Sequence, residues 1–114
     1  MQNENFLEKD YRELLQKIFD EIEASFASID PDLAECEQAL GAMTIKFKDG
    51  SRCILSAQPS VRQLWVALAA KGVAYHFDYN FEKKTWWDDK GRGLEFKALL
   101  KTHLKEMTEI EFEF

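Results

Sequence analysis

Two histidines, His76 and His103, and two cysteines, Cys36 and Cys53, are the only imidazole and thiol side chains in the sequence. Acyl transfer needs a Ser or Cys with a base held beside it, usually His. His76 falls in a strand-like stretch and His103 on an apolar helical stripe, neither cysteine has a His nearby in sequence, and no G-x-S-x-G occurs. Nucleophilic catalysis is therefore disfavoured. The cysteines form no C-x-x-C, which removes zinc-ribbon and thioredoxin-type sites and reads as two reduced, half-buried thiols. Gly91-Arg92-Gly93 is too short for a P-loop, and no G-x-G-x-x-G cradle is present.

Carboxylates are the first group above background. Asp20, Glu23, Asp30, Asp32, Glu35 and Glu37 fall along the end of a first helix and the segment leading to the first strand. Their oxygens are hard ligands suited to iron(III), magnesium or calcium. Without paired His or Cys, and without an EF-hand loop, such sites hold a cation weakly and leave it partly hydrated. The competing reading is a solvated face that only raises solubility, and charge pattern alone favours that reading. A second feature is Gln58 to Ala67. If Leu64, Val66 and Leu68 face a core, Gln63, Trp65 and Ala67 face away from it. A Trp on the open side of a sheet is either a hot spot for a protein partner or a ring tucked under a loop.

Composition bounds the rest. The 114 residues make one domain, and 46% hydrophobic with 32% charged residues is a globular mix. Asp and Glu outnumber Lys and Arg 21 to 15, the opposite of what a phosphate-backbone binder needs, so nucleic acid is disfavoured as a partner. No apolar run reaches the ~18 residues of a membrane span. Met1 to Asn5 lacks the look of a secretory signal or transit peptide. The expectation is a cytosolic protein, a trimmed organellar one reading the same way.

These residues must be positioned by a short set of elements. Tyr11, Leu14, Leu15, Ile18, Phe19, Ile22 and Phe26 predict an amphipathic helix from Asp10 to Ile29, stopped by Asp30-Pro31, with residues 1–9 frayed. Met43, Ile45 and Phe47 then alternate with polar residues up to Asp49-Gly50, and Ser51 to Ser56 returns as the second arm of a hairpin. Further strands are predicted at Arg62 to Leu68, Val73 to Tyr79 and Thr85 to Trp87. Phe96, Leu99, Leu100, His103, Leu104 and Met107 mark a second helix. From residue 108 the chain becomes a tail with Ile110, Phe112 and Phe114 on one buried edge. The order predicts an α+β two-layer sandwich with both helices on one face of an antiparallel sheet and the other face wet.

Gln58 to Ala67 resembles the signature of the frataxin family, Asn-x-Gln-x-Pro-x-x-Gln-(Ile/Val)-Trp-(Leu)-(Ser/Ala), in its bacterial, CyaY-like branch. Tyr75-His76-Phe77-Asp78, Cys36-Glu37 and the spacing of Trp87, Gly93, Leu99 and Leu100 are similar as well, so the likeness runs from about Asp10 to the C-terminus. Ser56 replaces the opening Asn, Pro59 comes one place early, and Ala24, Ala27, Ser28 and Lys48 stand where relatives carry acids. The resemblance implies the frataxin-like sandwich just described. It also implies a non-enzymatic, iron-binding regulator of iron–sulfur cluster assembly in the bacterial cytoplasm. Such a protein holds Fe2+ or Fe3+ weakly on an acidic ridge and contacts the cysteine desulfurase and scaffold machinery. Carried over by position, the ridge comprises Glu13, Asp20, Glu23, Asp30, Asp32, Glu35 and Glu37, and the partner-binding residues are Gln63 and Trp65. The expected state is a monomer, with iron-dependent oligomers as a further form and neither nucleic acid nor membrane as partner. The leading rival is an acidic interaction module whose iron binding is incidental. A ferroxidase-type enzyme is weaker, because no His/carboxylate dinuclear motif is apparent.

Overall fold

Helix formation begins where the apolar stripe begins. In a computed structural model, which describes residues 6–114, α1 spans Glu8–Ser25 and buries Tyr11, Leu15, Ile18, Phe19 and Ile22 along one side. It starts within the stretch expected to fray: Phe6 is itself buried, edge-on to the Tyr11 and Phe81 rings at 5.9 and 4.9 Å. It also stops short of the predicted end. Phe26, Ala27 and Ile29 donate to carbonyls three residues back, and this tighter turn leaves the Phe26 ring 4.9 Å from Phe112 in the tail. Residues 1–5 of the expected frayed stretch lie outside the described residues.

Six strands follow as a continuous antiparallel meander: β1 Ala34–Ala39, β2 Ala42–Phe47, β3 Arg52–Gln58, β4 Gln63–Leu68, β5 Val73–Asn80 and β6 Thr85–Asp88. Strand β1 corrects the sequence expectation, which begins the sheet at Met43 to Phe47 and places Glu35 and Glu37 in the segment leading to it. It joins β2 through Leu40-Gly41, with φ of 47° and 80°. A two-residue hairpin turn of this kind needs positive φ at both positions and usually advertises itself as Asn-Gly. Leucine at the first position hid it. The Asp49-Gly50 hairpin forms as expected, Gly50 taking φ of 88°.

Helix α2, Phe96–Thr108, is capped by Glu95, whose carboxylate accepts from the Lys97 and Ala98 N–H groups. Both helices lie on the face carrying Met43, Ile45, Leu55, Leu64, Val66, Phe77 and Trp86, all buried. Beyond α2, Phe112 is buried and Ile110 and Phe114 half-buried against the same core, as the alternating tail predicts. Tyr11 ties the layers together, its hydroxyl donating to the Gln63 carbonyl at 2.5 Å and accepting from the Gln58 N–H at 2.9 Å. The two ends of the Gln58 to Gln63 crossover are thereby pinned to α1, which fixes where β4 presents its outer face.

Candidate functional site

Period-two alternation along β1 decides the shape of the acidic region. Gln38 points to the helix side, where its amide donates to Asp20 Oδ1 at 3.2 Å and Glu23 Oε1 at 2.8 Å. Gln16 completes the link, donating to Asp20 Oδ1 and to Gln38 Oε1. Glu35 and Glu37 have the opposite parity, so they stand on the outer face, opposite Lys46 and Thr44 in the β1–β2 ladder. Asp30 and Asp32 occupy the turn between, with Asp30 Oδ1 accepting from the Asp32 N–H at 2.9 Å. Glu13 sits two turns before Asp20 on the same side of α1. An edge strand therefore divides the candidate ridge into a helix-side group and a sheet-side group.

None of these seven carboxylates enters an ion pair among the described residues. Nor do any three His, Cys, Asp or Glu of the described residues gather closely enough to enclose a metal ion. Soft ligation is poor too. Burial pushes the Cys36 and Cys53 thiols up to about 12, so both stay protonated. Cys53 is fully buried rather than half-buried, and both cysteines flank Ile45 in the ladder. What the edge can do is attract a hard, hydrated cation, or a basic protein surface, without enclosing either.

Gln63 and Trp65 do lie on the face away from the helices, but they are not isolated there. The Trp65 indole stacks on His76 with ring centroids 4.1 Å apart and 13° between planes, and its N–H donates to Gln63 Oε1 at 2.8 Å. Gln63 in turn donates to Asp78 Oδ1 at 3.1 Å and Asp89 Oδ2 at 3.0 Å, and Asp89 lies 3.8 Å from His76 Nδ1. Trp65 is half-buried by this network. Sequence reasoning missed His76, Asp78 and Asp89 as members of the site. Trp65 pairs with His76, and Gln63 with Asp78, only through the β4–β5 register, which no single strand encodes.

Residues 4–110 match the family described as Frataxin-like domain. The chain belongs to the frataxin family. This frataxin is 37% identical over 103 residues to a protein from Pseudomonas fluorescens named Iron-sulfur cluster assembly protein CyaY, covering 90% of this chain and 84% of the relative. A protein of the same name from Stutzerimonas stutzeri is 40% identical over 81 residues, 69% of each chain. The fold matches solved frataxins at lower identity. A frataxin from Psychromonas ingrahamii superposes with a TM-score of 0.80 at 21% identity, over 93% of this chain and 95% of that one. Trimeric frataxin from the yeast Saccharomyces cerevisiae, complexed with ferrous iron, gives 0.63 at 20% identity, over 90% and 86%. Within this frataxin the signature stretch Gln58 to Ala67 forms the end of β3, a 3-10 turn at Pro59–Val61 and most of β4. Arg62 follows the turn at φ 53° and donates through Nε to the Phe6 carbonyl at 3.0 Å, anchoring the N-terminal segment to it.

Proposed function

We propose that this protein serves iron–sulfur cluster assembly by carrying iron weakly on its acidic edge and by docking, through its open sheet face, on the cysteine desulfurase and scaffold machinery. The observation that carries the reading is the set of seven carboxylates on α1, β1 and the turn between them with no ion pair among the described residues, in a chain similar to proteins named for cluster assembly. A carboxylate matched to a lysine would have to give up that partner to meet a metal. These have none to give up. Hydrated Fe2+ or Fe3+ meets hard oxygen ligands there, one or two at a time, so it binds weakly and can be passed on. The protein itself catalyses no reaction in this scheme, works in the bacterial cytoplasm, and is a monomer that iron can bring into larger assemblies.

Anaerobic titration with iron(II) tests the metal half. Substituting Asp30, Asp32, Glu35 and Glu37 together by their amides should abolish iron-induced spectral shifts with the fold intact. Unchanged binding in that variant refutes the assignment. One observation favours a second reading, an acidic interaction module with incidental iron binding: the edge strand keeps the carboxylates in two groups, with no three of the described residues positioned to hold a metal. If the unaltered protein modulates desulfurase turnover equally with iron withheld, while the amide variant does not, the second reading is correct. Trp65→Ala tests the docking half, with an expected loss of about 10- to 100-fold in affinity for a desulfurase–scaffold complex.

A further inference from the structure

Away from both surfaces, a cleft of about 410 Å³ opens between α2, the Ala69–Lys71 turn, β5 and the loop leading into α2. Leu68, Tyr75, Leu94 and Leu99 form its apolar walls, and the His103 ring, only 2% exposed, belongs to its lining. Neither ring nitrogen of His103 has a hydrogen-bond partner among the described residues. Glu106 Oε1 stands 3.8 Å from Nδ1, beyond bonding reach, because it is held by Lys71 Nζ at 2.8 Å. Burial lowers the His103 pKa, so the ring is neutral and offers one donor and one acceptor.

Charge around the cleft is already matched. Lys71 is paired with Glu106, Glu95 caps α2, and Arg92, which lies over Tyr75, is paired with Asp88. The unmet requirement is a neutral donor and acceptor at one end of an apolar space, and its volume is at the small end of ligand pockets. We propose that this cleft binds a small uncharged aromatic molecule bearing a hydroxyl, its ring against Tyr75, Leu94 and Leu99 and its hydroxyl on the His103 imidazole. A hydroxyl meets one ring nitrogen, donating to it where it is the acceptor or accepting from it where it carries the hydrogen. Both ring nitrogens are covered in this structure, so Lys71 and Glu106, each about half exposed at the rim, must swing aside for the hydroxyl to reach one. The proposal does not depend on iron.

Phenol titrated into the full chain without metal, followed by amide and histidine-ring NMR, is the test. Saturable shifts at His103, Tyr75 and Leu99 in the millimolar range are expected. Benzene, with the same ring and no hydroxyl, should bind about tenfold more weakly. His103→Phe should reduce phenol to the level of benzene, and if that variant fails to fold, the phenol–benzene comparison on the unaltered chain decides alone. Equal binding of phenol and benzene, shifts that map elsewhere, or no saturation up to the solubility limit of phenol would overturn the proposal.

Discussion

Replacing Arg92 by alanine probes how the loop after β6 is held, and with it the placement of Asp89 on the open face. The Asp88 side chain has no exposed surface and accepts from the Arg92 guanidinium, from the Arg92 N–H at 3.0 Å and from the Lys90 N–H at 3.2 Å. The hydrogen bond from the guanidinium is the main reason the Asp88 carboxyl sits at about 2 rather than 3.8, with desolvation a smaller, opposing effect. That depression corresponds to about 2 kcal/mol of native-state stabilisation at pH 7. Arg92 also lies 5.1 Å over the Tyr75 ring. An exposed contact of that type adds about 0.5–1 kcal/mol, independent of pH in the acid range. Arg92→Ala keeps both backbone donors and removes only the guanidinium's share, so with the Tyr75 contact it should destabilise the protein by about 1–2 kcal/mol at pH 7. The sign of the pH dependence follows from the direction of the shift. A carboxyl depressed in the folded state contributes fully above its unfolded value and loses that contribution as pH falls toward its folded value. At about pH 3 roughly half remains, so the gap between wild type and variant should narrow by about 0.5–1 kcal/mol. Urea unfolding followed by tryptophan fluorescence at the two pH values measures both quantities. An equal gap at both, or a loss below about 0.5 kcal/mol at pH 7, would refute the reasoning.

Three further outcomes are expected. Trp65→Ala should lower stability by about 1–2 kcal/mol, the worth of one stacked ring and one hydrogen bond, and not the ~3–5 kcal/mol of a core tryptophan, as urea melts would reveal. Deleting Glu109 to Phe114 removes one buried and two half-buried apolar side chains, about 3–5 kcal/mol in sum, and should lower Tm by more than about 10 °C in calorimetry. Stability should fall as pH drops through the ordinary histidine value of 6.5, because burial and Lys71 depress the folded His103 pKa and the unfolded chain then takes up the proton first. Thermal melts across that window should lose this slope in His103→Phe.

Most elements were legible because their residues carry their own period: Tyr11 to Ile22 at three and four, Met43 to Phe47 at two, with Asp49-Gly50 naming its turn. The sandwich follows from the order of those periods, since each amphipathic face needs a partner and two helices on one face of a meander supply it. Alternation with Leu64 and Val66 likewise assigns the Trp65 ring to the outer face of its strand. Tertiary structure alone decided three things. Edge strand β1 exists because β2 offers it a ladder, and Leu40 accepts a left-handed φ to reach it. Its parity then sends Gln38 toward Asp20 and Glu23 but Glu35 and Glu37 to the other side, dividing carboxylates that are neighbours in sequence. The stacking of Trp65 on His76, with Asp78 and Asp89 behind Gln63, depends on a register between two strands. Register, like parity at an edge, is a relation between segments, and a residue's type does not contain it until the chain has folded.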